Sequence, residues 1–303
     1  MNRSKILFPL VLLFITSQLY GQDSLITSLS RKNLSTFTKA NGTFAGPGWE
    51  KIVKKSEASN DVLIGEDHFT NEIPYFTSAI ASKIHFENFF CEIDPFTANI
   101  LQHKINNLSA KALQDYVNTY GNTFSFYAYK PEFELLKQLS KSNTKILGTD
   151  QILLVGDRVI CSELKKTTKN PAAKKIYQAI ASNSKIYFDR FRKDQSKPFY
   201  LLTDDFSKKL DTLSGLKLSI HEMKIVNMLK LSARLYKTQS NELRVQLMKH
   251  QLMEVYGNWA GKRNLFKYGA NHLSKAEGLL EIYDIGNLVA NLNDATTKNR
   301  LIS

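Results

Sequence analysis

The chain has 303 residues, of which 43% are apolar and 23% are charged, and its formal net charge at pH 7 is +13. This balance excludes a disordered chain, and 14 glycines and 7 prolines exclude collagen-like and low-complexity proteins. Two cysteines exclude a disulfide scaffold and a cysteine-based zinc module. The basic charge is typical of nucleic-acid-binding proteins, but the sequence has no zinc finger, no RNP-like aromatic motif and no arginine cluster. We therefore expect no nucleic-acid partner.

Residues 1–22 have the pattern of a cleaved secretory signal peptide. Arg3 and Lys5 precede an apolar run over residues 6–15, and a polar, small-residue segment ending at Gly21 follows. The run is shorter than the roughly 20 apolar residues that span a bilayer. We therefore expect cleavage after Gly21 and a periplasmic or secreted protein, with an uncleaved anchor as the alternative.

Removal of this segment takes away two cations and no acid, so the predicted mature chain has a net charge of +11. Most of the excess comes from scattered lysines such as Lys54, Lys55, Lys174 and Lys175. Their spacing predicts a solvated surface with a peripheral attraction to an anionic envelope.

Export would place Cys91 and Cys161 in an oxidising compartment, where a disulfide between them is one expectation. Cys91 lies within an apolar run, which favours the other expectation, a buried thiol that packs as a small apolar side chain.

Four short apolar runs of strand length alternate with helical patterns along the chain. The runs cover residues 61–65, 88–91, 145–148 and 264–269. The helical patterns between them cover residues 71–87, residues 109–120 and a segment that opens at Pro131. This alternation predicts an α/β fold with a small, mainly parallel sheet flanked by helices.

The stretch from about residue 164 to residue 256 breaks the alternation, because helical patterns follow one another without a strand between them. We interpret it as a large helical insertion before the last strand, within a single α/β domain that covers residues 23–303.

Acidic or histidine side chains follow each of the four strand-like runs. Ligands of open parallel sheets bind outside the carboxyl ends of the strands, so these side chains are expected to share one cleft. A single acid at such a position is most often only a helix cap, whereas five at equivalent strand ends favour a site. The five are Glu66, His68, Glu92, Asp150 and His272.

The segment from Glu66 to His68 consists of three ionisable residues in a row. Alternate residues of an extended segment share a face, so Glu66 and His68 are expected to lie together, with Asp67 turned away in a structural role. A carboxylate beside an imidazole raises its basicity, which a general base needs. Glu72 is either a favourable charge at a helix N-terminus or a third carboxylate near His68. His272 is a candidate general acid or oxyanion ligand.

In their order along residues 60–275, these motifs resemble the erythromycin-esterase-like proteins and their relatives, the haem-uptake ChaN-like and Tiki-protease-like domains. The resemblance implies an α/β core with a helical insertion and a cleft lined by acids and histidines. It implies that His68 activates water for lactone hydrolysis, with Glu66, Glu92 and His272 in support. The residues that carry it are Gly65 to His68, Glu72, Glu92, Arg244, Met248 and Gly269 to His272.

The sequence departs from the esterase pattern at three points. One residue instead of two separates Glu66 from His68, Phe69 stands where a glycine is usual, and Val245 stands where an acid is usual. Macrolide hydrolysis is therefore not implied.

We predict an exported hydrolase of a small-molecule ester or lactone without a resident cofactor. His68, Glu66, Glu92 and His272 are the predicted catalytic residues. Substrate-binding roles fall on Glu72, Arg244 and Asp150, with Arg244 also expected to stabilise an oxyanion. No Gly-x-Ser-x-Gly motif occurs, which disfavours a serine nucleophile.

Two alternatives use the same cleft. Two histidines and several carboxylates also suit zinc, iron or manganese, although no His-Glu-x-x-His motif occurs. A binding protein for haem or another ligand without turnover is the other alternative, because haem needs an exposed histidine or tyrosine as axial ligand.

Overall fold

A computed structural model describes residues 23–40, 42–295 and 301–302, so the predicted signal peptide lies outside the described residues. The described residues up to Lys54 form one compact unit, and those from Lys55 onward form a second. The first contains helix α1 (residues 23–33), the antiparallel strands β1 (Thr38–Ala40) and β2 (Thr43–Ala45), and the start of helix α2 (Pro47–Glu57).

The second unit contains a five-stranded parallel sheet. Because every strand runs the same way, all carboxyl ends lie along one edge of the sheet. The four predicted strands and the parallel α/β fold are confirmed, with the first strand one residue longer than predicted. The strands are β3 (Asp61–Glu66), β4 (Asn88–Cys91), β5 (Lys145–Gly148), β6 (Asn264–Gly269) and β7 (Leu301–Ile302). Across the sheet they lie in the order β5-β4-β6-β3-β7.

Helices connect the first three strands of this sheet. Asp94 caps one of them by accepting hydrogen bonds from the amides of Phe96 and Thr97 at 3.0 and 2.8 Å, and Ser109 caps the next through Ala112. The helix after β3 ends earlier than the predicted residue 87, because Ile84 is already extended toward β4. The helices are α3 (Glu72–Lys83), α4 (Pro95–Asn107), α5 (Ala110–Tyr120) and α6 (Lys130–Lys141).

A large helical region lies between β5 and β6, and it begins before the predicted residue 164. Asn170 caps a helix that opens with Pro171, and Ser219 and Glu222 form a capping box. None of the described helices is long and apolar enough to cross a membrane. The region comprises α7 (Asp157–Thr167), α8 (Pro171–Lys193), α9 (Asp204–Ser214), α10 (Ile220–Thr238), α11 (Asn241–Glu254) and α12 (Tyr256–Trp259), and α13 (Ile285–Ala295) follows β6.

The core on one face of the sheet fixes α11. Phe90 and Phe266 stack with their ring centroids 4.7 Å apart, and Met248 and Leu252 of α11 belong to the same buried cluster. Complete burial of such side chains stabilises by roughly 1.5–3 kcal/mol each. The cluster therefore holds α11, which begins near the carboxyl edge of the sheet.

Both cysteines are buried and free. Cys91 and Cys161 are fully excluded from solvent, and burial raises the pKa of the Cys91 thiol to about 12. The structure therefore agrees with the favoured expectation of packed thiols and contains no disulfide between them.

Helix α13 lies against the chain just after β6 at a point that only glycine permits. A Cβ atom on Gly286 would lie 2.2 Å from the carbonyl oxygen of Leu273 and 2.7 Å from that of Ser274. The close approach brings the start of α13 beside the short 3-10 turn Ala270–Leu273, which carries His272.

We expect Gly286→Ala to lower the free energy of unfolding by about 1–3 kcal/mol, because the added methyl group must push helix and turn apart. Urea unfolding checks this. Gly257→Ala in α12 is the matched control, since a Cβ there has open space around it. Equal unfolding midpoints for the two variants would contradict the close packing of α13.

Candidate active site

The carboxyl edge of the sheet brings five predicted residues together. Glu66 ends β3, Glu92 directly follows β4, and Asp150 lies two residues after β5. His68 and His272 follow the ends of β3 and β6. Because the strands are parallel neighbours, side chains as distant in sequence as those of Glu92 and His272 become contacts.

Two carboxylates face the imidazole of His68. Its Nδ1 lies 3.2 Å from Oε1 of Glu66, and its Nε2 lies 3.6 Å from Oε2 of Glu92. The ring stacks on Phe126 with centroids 4.7 Å apart, while 34% of the side chain stays exposed. The hydrogen bond to Glu66 and the charge of Glu92 raise the pKa of His68 despite partial burial. His68 is therefore an oriented base that solvent can reach.

Behind His68, a buried lysine neutralises Glu66. The Lys267 side chain is completely excluded from solvent; its ammonium group contacts Oε2 of Glu66 and lies 2.7 Å from Oε1 of Glu132. Burial acts to raise the pKa of Glu66, but hydrogen bonding to His68 and the charge of Lys267 outweigh it and lower that pKa. Burial raises the pKa of Glu132 to about 7. Glu66 is thus held ionised beside His68.

Glu92 is the most densely contacted carboxylate of the site. It accepts the amide hydrogen of Gly269 at 2.7 Å and a hydrogen bond from Arg244 Nη2 at 2.6 Å, and its Oε1 lies 3.3 Å from Nε2 of His272. Burial acts against ionisation, but the bonds and charges of His272 and Arg244 lower the pKa of Glu92 to about 2.

Arg244 joins two strand ends through its planar guanidinium. Nε and Nη2 donate to the two oxygens of Asp150 at 2.9 and 2.5 Å, and Nη2 also donates to Glu92. Such a two-point contact pairs the opposite charges and also fixes the orientation of the guanidinium. Nη1 lies 3.4 Å from Nε2 of His272.

His272 lies between two carboxylates. Its Nδ1 is 2.7 Å from Oδ2 of Asp284, whose other oxygen accepts from the amide of Ile285 at 2.7 Å. Burial disfavours the protonated ring, but Asp284 and Glu92 together raise the pKa of His272 to about 9. At neutral pH His272 is therefore an imidazolium.

Two adjoining cavities open at these residues. The smaller has a volume of about 310 Å³ and is lined by polar groups that include His68, Glu92 and His272. The larger has a volume of about 630 Å³ and is lined by a mixture of polar and apolar side chains. His68, Glu92, Asn241 and Arg244 line both. The shared wall is therefore where a bound molecule would meet the base and the cations.

Glu72 lies outside this arrangement. It is exposed in the first turn of α3 and lines neither cavity. Its position matches the expectation of a charge at a helix N-terminus. The backbone oxygen of neighbouring Asp67 accepts a hydrogen bond from the Thr70 hydroxyl at 2.8 Å, so Asp67 helps to build the turn while also lining the smaller cavity.

Four residues of the site were missed from the sequence: Lys267, Glu132, Asp284 and Phe126. A lysine within the apolar run 264–269 is itself a signal, because a lysine is almost never fully buried unless it is paired. Neither Glu132 nor Asp284 has a local pattern that points to the site, since their partners lie on other elements.

Carboxylates lie close to most ring nitrogens of the two histidines. Nδ1 of His68 lies 3.2 Å from Glu66, and the ring nitrogens Nε2 and Nδ1 of His272 lie 3.3 and 2.7 Å from Glu92 and Asp284, whereas Nε2 of His68 lies 3.6 Å from Glu92. Within residues 23–40, 42–295 and 301–302, no group of three or more histidine, cysteine, aspartate or glutamate side chains has an arrangement that could hold a metal ion.

Comparison with solved structures identifies the fold. An erythromycin esterase variant in its open conformation matches with a TM-score of 0.50 and 14% identity, over 80% of this chain and 69% of that chain. A succinoglycan biosynthesis protein matches with a TM-score of 0.46 and 12% identity, over 86% and 70%. ChaN of Campylobacter jejuni, with cofacial haem, matches with a TM-score of 0.40 and 14% identity, over 89% and 90%.

No family model and no curated protein matches the sequence. The chain is thus an α/β protein with a large helical region. Its fold is similar to that of an erythromycin esterase, which confirms the predicted resemblance at the level of the fold.

The raised pKa of His272 makes the stability of the protein depend on pH. The folded pKa of about 9 lies above the ordinary value of 6.5, so the stabilisation is complete below pH 6.5 and is lost as the pH rises through 9. We expect the free energy of unfolding to fall by on the order of 3 kcal/mol between pH 6.5 and pH 10 through this group.

Urea unfolding of the native protein and His272→Gln across this range measures the effect, and the variant should show a smaller fall. His250→Gln is the control, because that side chain is 73% exposed on the surface of α11. The assignment of His272 as a buried imidazolium is wrong if the native protein and His272→Gln lose stability in parallel.

Proposed function

We propose that this protein hydrolyses an ester or a lactone by general-base activation of water at His68. The observation that carries the proposal is the position of His68 between two ionised carboxylates, at the wall where both cavities meet. The fold likeness to an erythromycin esterase supports a hydrolase at the level of fold only.

In the reactive form, His68 is neutral, with Nδ1–H donating to Glu66. The Nε2 lone pair then faces the cleft, where it takes a proton from water. Oε2 of Glu92 lies 3.6 Å from Nε2, so a water molecule that reaches Nε2 also meets an acceptor for its second hydrogen. Two acceptors fix the orientation of that water.

Arg244 and His272 supply the positive charge that a developing oxyanion needs. Nε and Nη2 of Arg244 are committed to Asp150 and Glu92, whereas Nη1 has His272 as its neighbour. In our proposal Nη1 donates to the substrate oxygen that becomes negative. The network holds it in place before the reaction, which is what makes such donors effective.

The proton that His68 takes from water is returned later in the reaction. Hydroxide adds to the carbonyl carbon, the tetrahedral intermediate collapses, and His68 returns its proton to the leaving alkoxide. Acid, alcohol and neutral His68 are the products, and no covalent bond forms between protein and substrate.

We expect His68→Ala to lower kcat/KM about 10²- to 10⁴-fold, because the base is lost while the cationic side of the site stays. The measurement is hydrolysis of a panel of short alkyl esters and of γ- and δ-lactones. His250→Ala, an exposed histidine on the helix of Arg244, is the matched control and should retain full activity.

The pH profile of kcat/KM separates the two histidines in the same experiment. Activity should rise as His68 loses its proton and fall again near pH 9 as His272 does, and His272→Gln should remove that alkaline limb. A native protein without turnover on the whole panel, or His68→Ala with native activity, refutes the proposal.

We also propose that the protein is exported, on the strength of the signal-peptide pattern in residues 1–22. Intact mass measurement of protein recovered from the periplasm or medium of a bacterial host should show a chain that begins at Gln22. A chain that keeps Arg3 and Lys5 in the mature fraction would contradict cleavage.

A further inference from the structure

Phe69 has an unusual backbone and an unusual exposure. Its φ is 69°, in the left-handed region that bulky aromatic residues rarely adopt, and the residue is 66% exposed. A glycine would occupy this conformation without strain. Folding therefore gains little from a phenylalanine here, which makes a contribution to binding the better explanation of the side chain.

A second exposed aromatic ring packs against Phe69. Tyr129, just before α6, is 54% exposed, and its ring lies edge-on to that of Phe69 with centroids 5.2 Å apart. We call these two residues the aromatic lip. The lip lies beside the base, because the ring centroids of Phe69 and His68 are 6.4 Å apart.

One residue of the lip borders the larger cavity, whose lining includes several apolar side chains. Phe69 lines this cavity of about 630 Å³ together with Phe126 on the side of His68. Leu153, Phe199 and Leu202, from the chain between β5 and β6, also line it. Among the described residues that line the cavity, all charged groups belong to the catalytic wall. A part of a ligand that lies away from this wall therefore meets no charged side chain of the cavity lining.

We propose that the aromatic lip binds an apolar, uncharged group of the substrate, and that the preferred substrates are esters with an aryl or similarly bulky apolar part next to the scissile bond. This specificity rests on the proposed hydrolase function. Ring faces and edges at the lip provide stacking for a planar group, and the cavity behind provides apolar contact.

Selectivity between two esters tests the proposal. Benzyl acetate and methyl acetate share the acyl group and an alkoxide leaving group, but only the first has a ring. Phe69→Gly and Tyr129→Ala should each lower the ratio of kcat/KM for benzyl over methyl acetate by about tenfold, the loss expected for removing one apolar contact surface. Ile186→Ala, which removes an exposed apolar side chain of α8, should leave the ratio as in the native protein.

Binding of the dye 8-anilino-1-naphthalenesulfonate, followed by its fluorescence, gives a readout that needs no turnover. Its Kd should rise about tenfold in both lip variants and stay native in Ile186→Ala. The urea midpoint of Phe69→Gly should equal or exceed the native one, because glycine relieves the left-handed backbone.

The outcomes separate the two proposals. Unchanged dye binding and an unchanged ester ratio in both lip variants overturn the binding role of the lip, whatever the activity. Weaker dye binding in the lip variants of a protein that hydrolyses no ester supports the lip as a binding surface and refutes the hydrolase. A clearly lower urea midpoint for Phe69→Gly shows that Phe69 is structural and also overturns the proposal.

Discussion

The candidate site depends on one buried carboxylate, Glu92. It accepts an amide hydrogen from Gly269 and a hydrogen bond from Arg244, and it lies close to the imidazoles of both His68 and His272. An ionised carboxylate in this position is stable only because cations and donors surround it. The same charge then orients each of those partners, so β4, β6 and α11 meet at a single group.

The network extends beyond Glu92 as alternating charges. Lys267 lies between Glu66 and Glu132, Arg244 between Glu92 and Asp150, and His272 between Glu92 and Asp284. Each buried ion is paired, and removal of one member would leave its partner charged without compensation. Such an arrangement fixes side-chain positions more than it stabilises the fold, which suits a site that must be organised before substrate arrives.

The fold supplies the meeting point and the shape of the cleft. Parallel strands bring chemically capable residues to one edge, and Gly269 leaves room there, since a Cβ on it would lie 3.2 Å from Nε2 of His68 and 3.4 Å from Oε2 of Glu92. The helical region between β5 and β6 adds apolar side chains, among them Leu153, Phe199 and Leu202, to the lining of the larger cavity. The strand ends thus position the carboxylates and imidazoles of the site. The helical region shapes the space that a substrate would fill.

The sequence by itself determined what depends on near neighbours in the chain. The four strands, the caps at Ser109 and Asn170, and the pairing of Glu66 with His68 follow from periodicity, from cap chemistry and from the two-residue repeat of an extended segment. Only the tertiary structure decided the partners of Lys267, 135 positions from Glu132, and the contact of His272 with Asp284. It also decided that Glu72 lies outside the cleft. These contacts join different elements, and no local pattern encodes how separate elements pack against each other.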